Sequence, residues 1–312
     1  MGFSTGLNFN EIDKRLMRVL VLGVSGLIGH KLLCELSKDL EVFGTLHRKK
    51  EEYKNLSIFD GKHIIEGVDV ADFGSLKSIL EKINPDVILN CVGITKRKIN
   101  HCSPFEPISI NALFPHRLAM WAKESRKRII HFSTDCVFDG RRGNYNEESL
   151  TNAEDIYGRT KALGEINYSH TLTIRSSFIG QELFDKTELL EWFLMQEGRQ
   201  IKGFKNTLYS GVSTCYMARL VKEIIVNFTN LSGIYQLATE KPISKYDLLL
   251  IAREAFDVNV EILADETVYH QPTLDSSKLR DKLGMVIPSW SEMMSELAQD
   301  REFYNSNKPI FK

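Results

Sequence analysis

No apolar run in the 312 residues approaches the ~20 needed for a bilayer-spanning helix, so no membrane segment is expected. The charge excess of a nucleic-acid binder or a polybasic membrane-surface protein is also missing. Forty Lys and Arg stand against 41 Asp and Glu, a formal net charge of -1. Cysteine is sparse: Cys34, Cys91, Cys102, Cys136 and Cys215 form an odd, scattered set without a CxxC pair. That argues against a zinc site or a disulfide framework and suits a reducing cytoplasm. The eight histidines show neither HxxxH nor HExxH spacing, so no metal is expected. Residues 1–17 lack the apolar core of a signal peptide. Residues 1–16 read as a loose extension, with Met17 opening the folded unit.

What is present is a globular composition, 43% hydrophobic and 26% charged, long enough to bury a full core. Arg18–Leu22 (RVLVL) is the run expected of a strand buried on both faces. A glycine-rich turn, a helix over His30–Asp39 and a strand at Glu41–Leu46 complete a βαβ unit. The alternation continues through strand His63–Glu66, helix Asp72–Ile83, strand Asp86–Val92, helix Ile110–Lys127, strand Arg128–Ser133, helix Tyr157–Tyr168 and strand Leu172–Ser176. This order predicts an α/β fold with a Rossmann-type doubly wound parallel sheet. Beyond residue 178 the rhythm changes. Helices are expected at Glu188–Gln196, Val212–Asn227 and Ser244–Phe256, a mixed polar stretch at Gln200–Leu208 and a strand at Gly233–Leu237. Val258–Leu263, Ser276–Leu283 and Ser291–Arg301 form a mixed tail. The expected plan is an NADP(H)-binding domain over 17–178, with 211–237 packing back on it. A smaller mixed α/β substrate domain is expected from 179–210 and 238–312.

Gly23, Gly26 and Gly29 form GxxGxxG between a strand and a helix, with Ser25, Leu27 and Ile28 inside the turn. Glycines there allow a tight turn and let backbone amides approach a pyrophosphate. The spacing resembles extended short-chain dehydrogenases/reductases. NAD enzymes place an acid at the end of the second strand to hold the ribose hydroxyls. Here that strand runs into His47, Arg48 and Lys49, which favours a 2′-phosphate and hence NADPH over NADH.

Tyr157 and Lys161 form YxxxK, and positions i and i+4 share one helix face. An adjacent ammonium is expected to lower the phenol's pKa, so that the pair passes a proton while a nicotinamide passes hydride. Thr134 and Asp135 end a buried strand whose carboxyl end opens onto the cleft. Thr134 suits the carbonyl oxygen being reduced, and Asp135 a sugar hydroxyl or the proton relay. Strand-end turn chemistry is the alternative for both.

Ser133-Thr134-Asp135-Cys136-Val137-Phe138-Asp139-Gly140, followed by Tyr157-Gly158-Arg159-Thr160-Lys161 and Gly164-Glu165, resembles the dTDP-4-dehydrorhamnose reductase family, over roughly Met17 to Gly284. The segment Gln271–Leu279 also looks like that family's tail. The resemblance implies NAD(P)H-dependent reduction of a 4-keto group on a nucleotide-linked deoxysugar for a surface polysaccharide, with Thr134, Asp135, Tyr157 and Lys161 catalytic. In the wider superfamily Asp69-Val70 matches the pair that contacts adenine, with local capping the alternative for Asp69. Cys91, Val92 and Gly93 are expected beside the cofactor, and Thr95, Lys96, Arg175, Ser177, Thr214 and Gln271 beside the substrate.

Departures bear on the substrate. Gln271 stands where an Arg is common, and Val212 and Ser213 depart from the usual Pro-Thr pattern. Lys96-Arg97-Lys98 meets substrate phosphates or is solvated. Asn111 holds a relay water or plays a capping or core-polar role. Sugar-nucleotide 4,6-dehydratases carry Thr-Asp-Glu where this chain has Thr134-Asp135-Cys136, so dehydration is disfavoured. Two alternatives remain open. One is an epimerase of the same superfamily. The other is a non-catalytic NADP-binding regulatory subunit, like the β subunit of methionine adenosyltransferase. A helix-mediated homodimer fits the superfamily.

Overall fold

The computed structural model describes residues 17–53 and 56–306. The expected extension at 1–16 and residues 307–312 of the expected substrate domain lie outside the described residues. In chain order the elements that frame the site are β1 (Arg18–Leu22), α1 (Gly29–Leu36), β2 (Glu41–Thr45), β3 (Ile64–Ile65), α2 (Phe73–Ile83), β4 (Val87–Asn90), α3 (Phe114–Glu124), β5 (Arg128–Ser133), α4 (Ile156–Leu163) and β6 (Thr171–Arg175). After them come β7 (Gln200–Phe204), α5 (Thr214–Asn227), β8 (Gly233–Gln236), α6 (Lys245–Phe256), β9 (Glu261–Asp265), α7 (Trp290–Gln299) and α8 (Arg301–Ser306).

Seven strands form one parallel sheet in the order β8-β6-β5-β4-β1-β2-β3. The apolar run of β1 follows from this placement. Val19 and Val21 face one side and join Leu32, Leu36, Val221 and Ile224 of α1 and α5. Leu20 and Leu22 face the other side and join Leu76, Leu80 and Leu118 of α2 and α3. Successive strand residues point to opposite faces, so a strand covered on both sides has no polar alternation. Val19 pairs with Val42 on one side and Val87 on the other. The winding therefore reverses between β1 and β4, and a crevice opens at their carboxyl ends.

The later half of the chain packs against the first. β8 adds to the edge of β6, with Gly233 opposite Leu172 and Gln236 opposite Arg175. Leu249 of α6, Ile262 of β9 and Met294 of α7 belong to the same apolar cluster as Val19 and Val21. β7 pairs in parallel with β9.

Three elements differ from the sequence expectation for identifiable reasons. The helix expected over Ile110–Lys127 is a π-helical turn at Ile108–Leu113 followed by α3. Pro115 has no N–H to return to the Asn111 carbonyl, which loosens the turn before it. The helix expected over Val212–Asn227 begins only at Thr214, because Ser213 is extended and caps it by accepting the Tyr216 amide. The stretch read as mixed and polar at Gln200–Leu208 contains the β7 strand.

Candidate active site

The crevice begins at the glycine turn after β1. Gly23 has φ +81, and a Cβ at Gly29 would overlap the Gly23 carbonyl oxygen, so the first turn of α1 sits directly on the loop. The Gly23 amide donates to the Thr45 hydroxyl (3.1 Å), tying the loop to β2. No acceptor among the described residues takes the amides of Leu27 or Ile28. Free amides at a helix start are the donors a pyrophosphate needs. Ser25 is half-buried in the same turn.

Past β2, His47, Arg48 and Lys49 are exposed, and Arg48 pairs at 3.5 Å with Glu52 on a solvated face. Across the crevice the side chain of Val92 faces Gly23, Cys91 is half-buried and Gly93 lies against the Asn111 side chain. These groups fit a phosphorylated dinucleotide. Of the pair expected at adenine, Asp69 is exposed and accepts its own turn's Ala71 amide (2.9 Å). Val70 is buried with Leu76 and Leu80. Asp69 thus forms a local turn, and the Val70 side chain belongs to the core.

The catalytic candidates converge where β5 ends. Thr134 is extended, its hydroxyl accepting the Cys136 amide (3.1 Å) and donating to Asp135 (3.1 Å). Helix α4 starts at Asp155, which accepts the Gly158 amide (2.8 Å). A side chain at Gly158 would run into the Cys136 carbonyl, so only glycine lets α4 lie on the 135–137 turn. That contact brings Tyr157 beside Thr134. Lys161, one turn on, is buried, and its Nζ donates to the Phe132 carbonyl (2.7 Å).

Electrostatics here differ from the expectation. Burial drives the Tyr157 phenol well above its usual range, and the Asp135 carboxylate pushes the same way. The phenol therefore carries its proton at neutral pH, contrary to the expected lowering by an ammonium. Burial brings Lys161 down to about 8, against the pull of the Glu165 carboxylate. Burial pushes the Cys136 thiol up to about 12. A thiol so held is no proton shuttle.

Two residues expected at the substrate face inward. Arg175 is buried in a bidentate pair with Glu165 (2.8 and 2.7 Å), beneath the Phe138 ring. Glu165 also accepts the Ser133 hydroxyl (2.6 Å), so this cluster braces β5, β6 and the end of α4. Thr214 is fully buried, its hydroxyl against Gly180. Ser177 and Gln271 are half-buried; the Gln271 amide donates to the Gly140 carbonyl (2.6 Å). Thr95 is half-buried and its carbonyl accepts the Lys98 and Ile99 amides.

Each member of the basic triplet has a carboxylate: Lys96 pairs with Asp155 (2.7 Å), Arg97 with Glu188 (3.7 Å) and Lys98 with Asp185. Asn111 accepts the Ile94 amide (2.8 Å) and donates to its carbonyl (2.9 Å), so it holds the loop after β4 in place.

Three further groups, missed by sequence reasoning, lie within electrostatic range of Asp135. The Lys245 ammonium and the His270 ring both interact with the Asp135 charge, and burial lowers the pKa of each. Burial drives the Tyr209 phenol up, and the Asp135 charge pushes the same way. Lys245 did leave a signal. It is the first residue of a helix, where the positive dipole end disfavours a cation. Among the described residues no group of three or more His, Cys, Asp and Glu could hold a metal.

A profile of the RmlD substrate binding domain family matches residues 17–302. The chain belongs to this family. A dTDP-4-dehydrorhamnose reductase of Aggregatibacter actinomycetemcomitans is 26% identical over 258 residues, 74% of this chain and 86% of its own. Methionine adenosyltransferase 2 subunit beta of Xenopus tropicalis is 24% identical over 296 residues, 86% and 83% of the two chains. The crystal structure of dTDP-4-dehydrorhamnose reductase from Bacillus anthracis in complex with NADP superposes with a TM-score of 0.76 at 18% identity, over 92% of this chain and 100% of that one. The family resemblance read from the Thr134-Asp135 and YxxxK segments is borne out, and so is the Rossmann-type fold.

Proposed function

We propose that this protein is an NADPH-dependent reductase of the 4-keto group of a nucleotide-linked deoxysugar, serving surface polysaccharide synthesis. The observation that carries the reading is the meeting of Thr134, Asp135 and a proton-bearing Tyr157 at the carboxyl end of β5. Bound NADPH supplies the hydride. Tyr157 gives its proton to the developing alkoxide, and Thr134 fixes the oxygen that receives it. Lys161 lies one helical turn below Tyr157, and its ammonium serves the cofactor ribose and reprotonation of the phenol. The Leu27 and Ile28 amides hold the pyrophosphate, and Arg48 with its basic neighbours takes the 2′-phosphate. The Lys96 and Lys245 ammonium groups lie within electrostatic range of Asp135 and suit the substrate's diphosphate. In this reading 17–178 with 211–237 binds the cofactor, and 179–210 with 238–306 holds the sugar nucleotide.

All five cysteines are free, which favours a reducing, cytoplasmic setting. The exposed apolar side chains of Phe105, Ile108, Leu113, Met120 and Leu163 favour a homodimer.

The deciding experiment follows NADPH oxidation by absorbance against a panel of nucleotide-linked 4-keto-6-deoxysugars, with NADH in parallel. Substrate-dependent oxidation that prefers NADPH, and loses the preference in Arg48→Glu, is expected. A second reading has its own support in the methionine adenosyltransferase subunit among the relatives. It predicts NADPH binding with no oxidation of any panel member, together with copurification of a partner enzyme. An epimerase would instead interconvert sugar stereoisomers without net oxidation of added NADPH.

A further inference from the structure

Helix α8 reaches back to the glycine turn. Burial keeps His30, the second residue of α1, neutral by pushing its pKa down to about 4. Its Nδ1 lies 2.8 Å from the Gly26 carbonyl, and its Nε2 lies 2.7 Å from the Tyr304 hydroxyl. A carbonyl can only accept, so Nδ1 carries the hydrogen and Nε2 accepts from the phenol. The chain of donors therefore runs from Tyr304 O–H to His30 Nε2, and from His30 Nδ1–H to the Gly26 oxygen. The His30 backbone amide donates to the same oxygen (3.2 Å). Two donors from one residue thus fix the Gly26 carbonyl.

The peptide unit is planar and trans, so the Leu27 N–H points opposite to that carbonyl. With the oxygen turned in toward α1, the Leu27 amide is turned out, and no acceptor among the described residues takes it. The start of α8 is anchored independently. Asp300 pairs with Lys31 and accepts from Cys215 (3.0 Å), and Arg301 donates to the Phe256 carbonyl (2.9 Å). Tyr304 lies beyond residue 302, where the family match ends.

We propose that Tyr304 is a positioning residue for cofactor binding, acting through His30 and the Gly26 carbonyl to hold the Leu27 amide toward the pyrophosphate. The inference rests on the NADPH reading above. The test is a fluorescence titration of native protein and Tyr304→Phe with NADPH and NADP, alongside thermal stability and steady-state kinetics. Loss of one neutral hydrogen bond is expected to raise both dissociation constants about fivefold, with kcat unchanged. A merely structural Tyr304 would lower the melting temperature and leave the dissociation constants alone, and that result overturns the proposal. Nitrogen NMR of the histidine rings checks it without any variant. His30 should show the Nδ1–H tautomer in native protein; the Nε2–H tautomer would overturn the proposal. Failure of native protein to bind NADPH would instead defeat the underlying reading.

Discussion

At the scale of single residues the site sets two ionisable groups apart. Burial holds the proton on Tyr157 and loosens it on Lys161. Tyr157→Phe should therefore cut turnover by ~10²–10⁴ while NADPH still binds, as a titration run beside the assay would record. For Lys161 the sign can be worked out. The folded protein sheds this proton near pH 8, whereas the unfolded chain holds it to about 10.4. Between those values the unfolded state binds more protons, so stability gains from this group as pH rises. Lys161→Met lacks that term. Its stability relative to native protein should fall between pH 8 and 10, measured by denaturant unfolding without cofactor; a pH-independent difference would contradict the assignment. Tyr157, Lys161, Thr134 and Asp135 were legible because their spacing is a short motif on known elements. The burial of Arg175 on Glu165, and of Thr214 against Gly180, was not legible, because tertiary packing chooses those neighbours. Lys245 was legible only as an electrostatic oddity at a helix start, and His270 left no local mark.

At the scale of elements, the geometry depends on how closely α4 lies against the turn after β5. Gly158→Ala should push the helix outward, costing ~1–3 kcal/mol in stability and most of the turnover. Unfolding curves and the NADPH assay would measure both. The Glu165 carboxylate braces Ser133, Arg175 and the α4 terminus together. Glu165→Gln leaves a buried guanidinium without its counter-charge and should cost ~3–5 kcal/mol. The double change Glu165→Leu with Arg175→Met should recover much of that loss. Most strands of the sheet were visible in the sequence, because strands covered on both faces read as apolar runs. The π-helical turn at Ile108–Leu113 was not, since a helical pattern of apolar residues is blind to one missing amide at Pro115.

At the scale of the whole molecule, the exposed apolar side chains of Phe105, Ile108, Leu113, Met120 and Leu163 predict association. Light scattering should give a dimer mass for native protein and a monomer for Met120→Glu with Leu163→Glu; an unchanged mass would place any dimer elsewhere. The sheet itself carries a different consequence. Its edge strand β8 pairs with β6 only after the chain has run from Arg175 to Gly233 and returned. During synthesis the amino-terminal half therefore cannot finish its sheet when residue 178 leaves the ribosome, because a segment not yet translated completes it. A nascent chain halted before β8 emerges should display an open strand edge, the kind of surface that recruits chaperones or other unfinished chains.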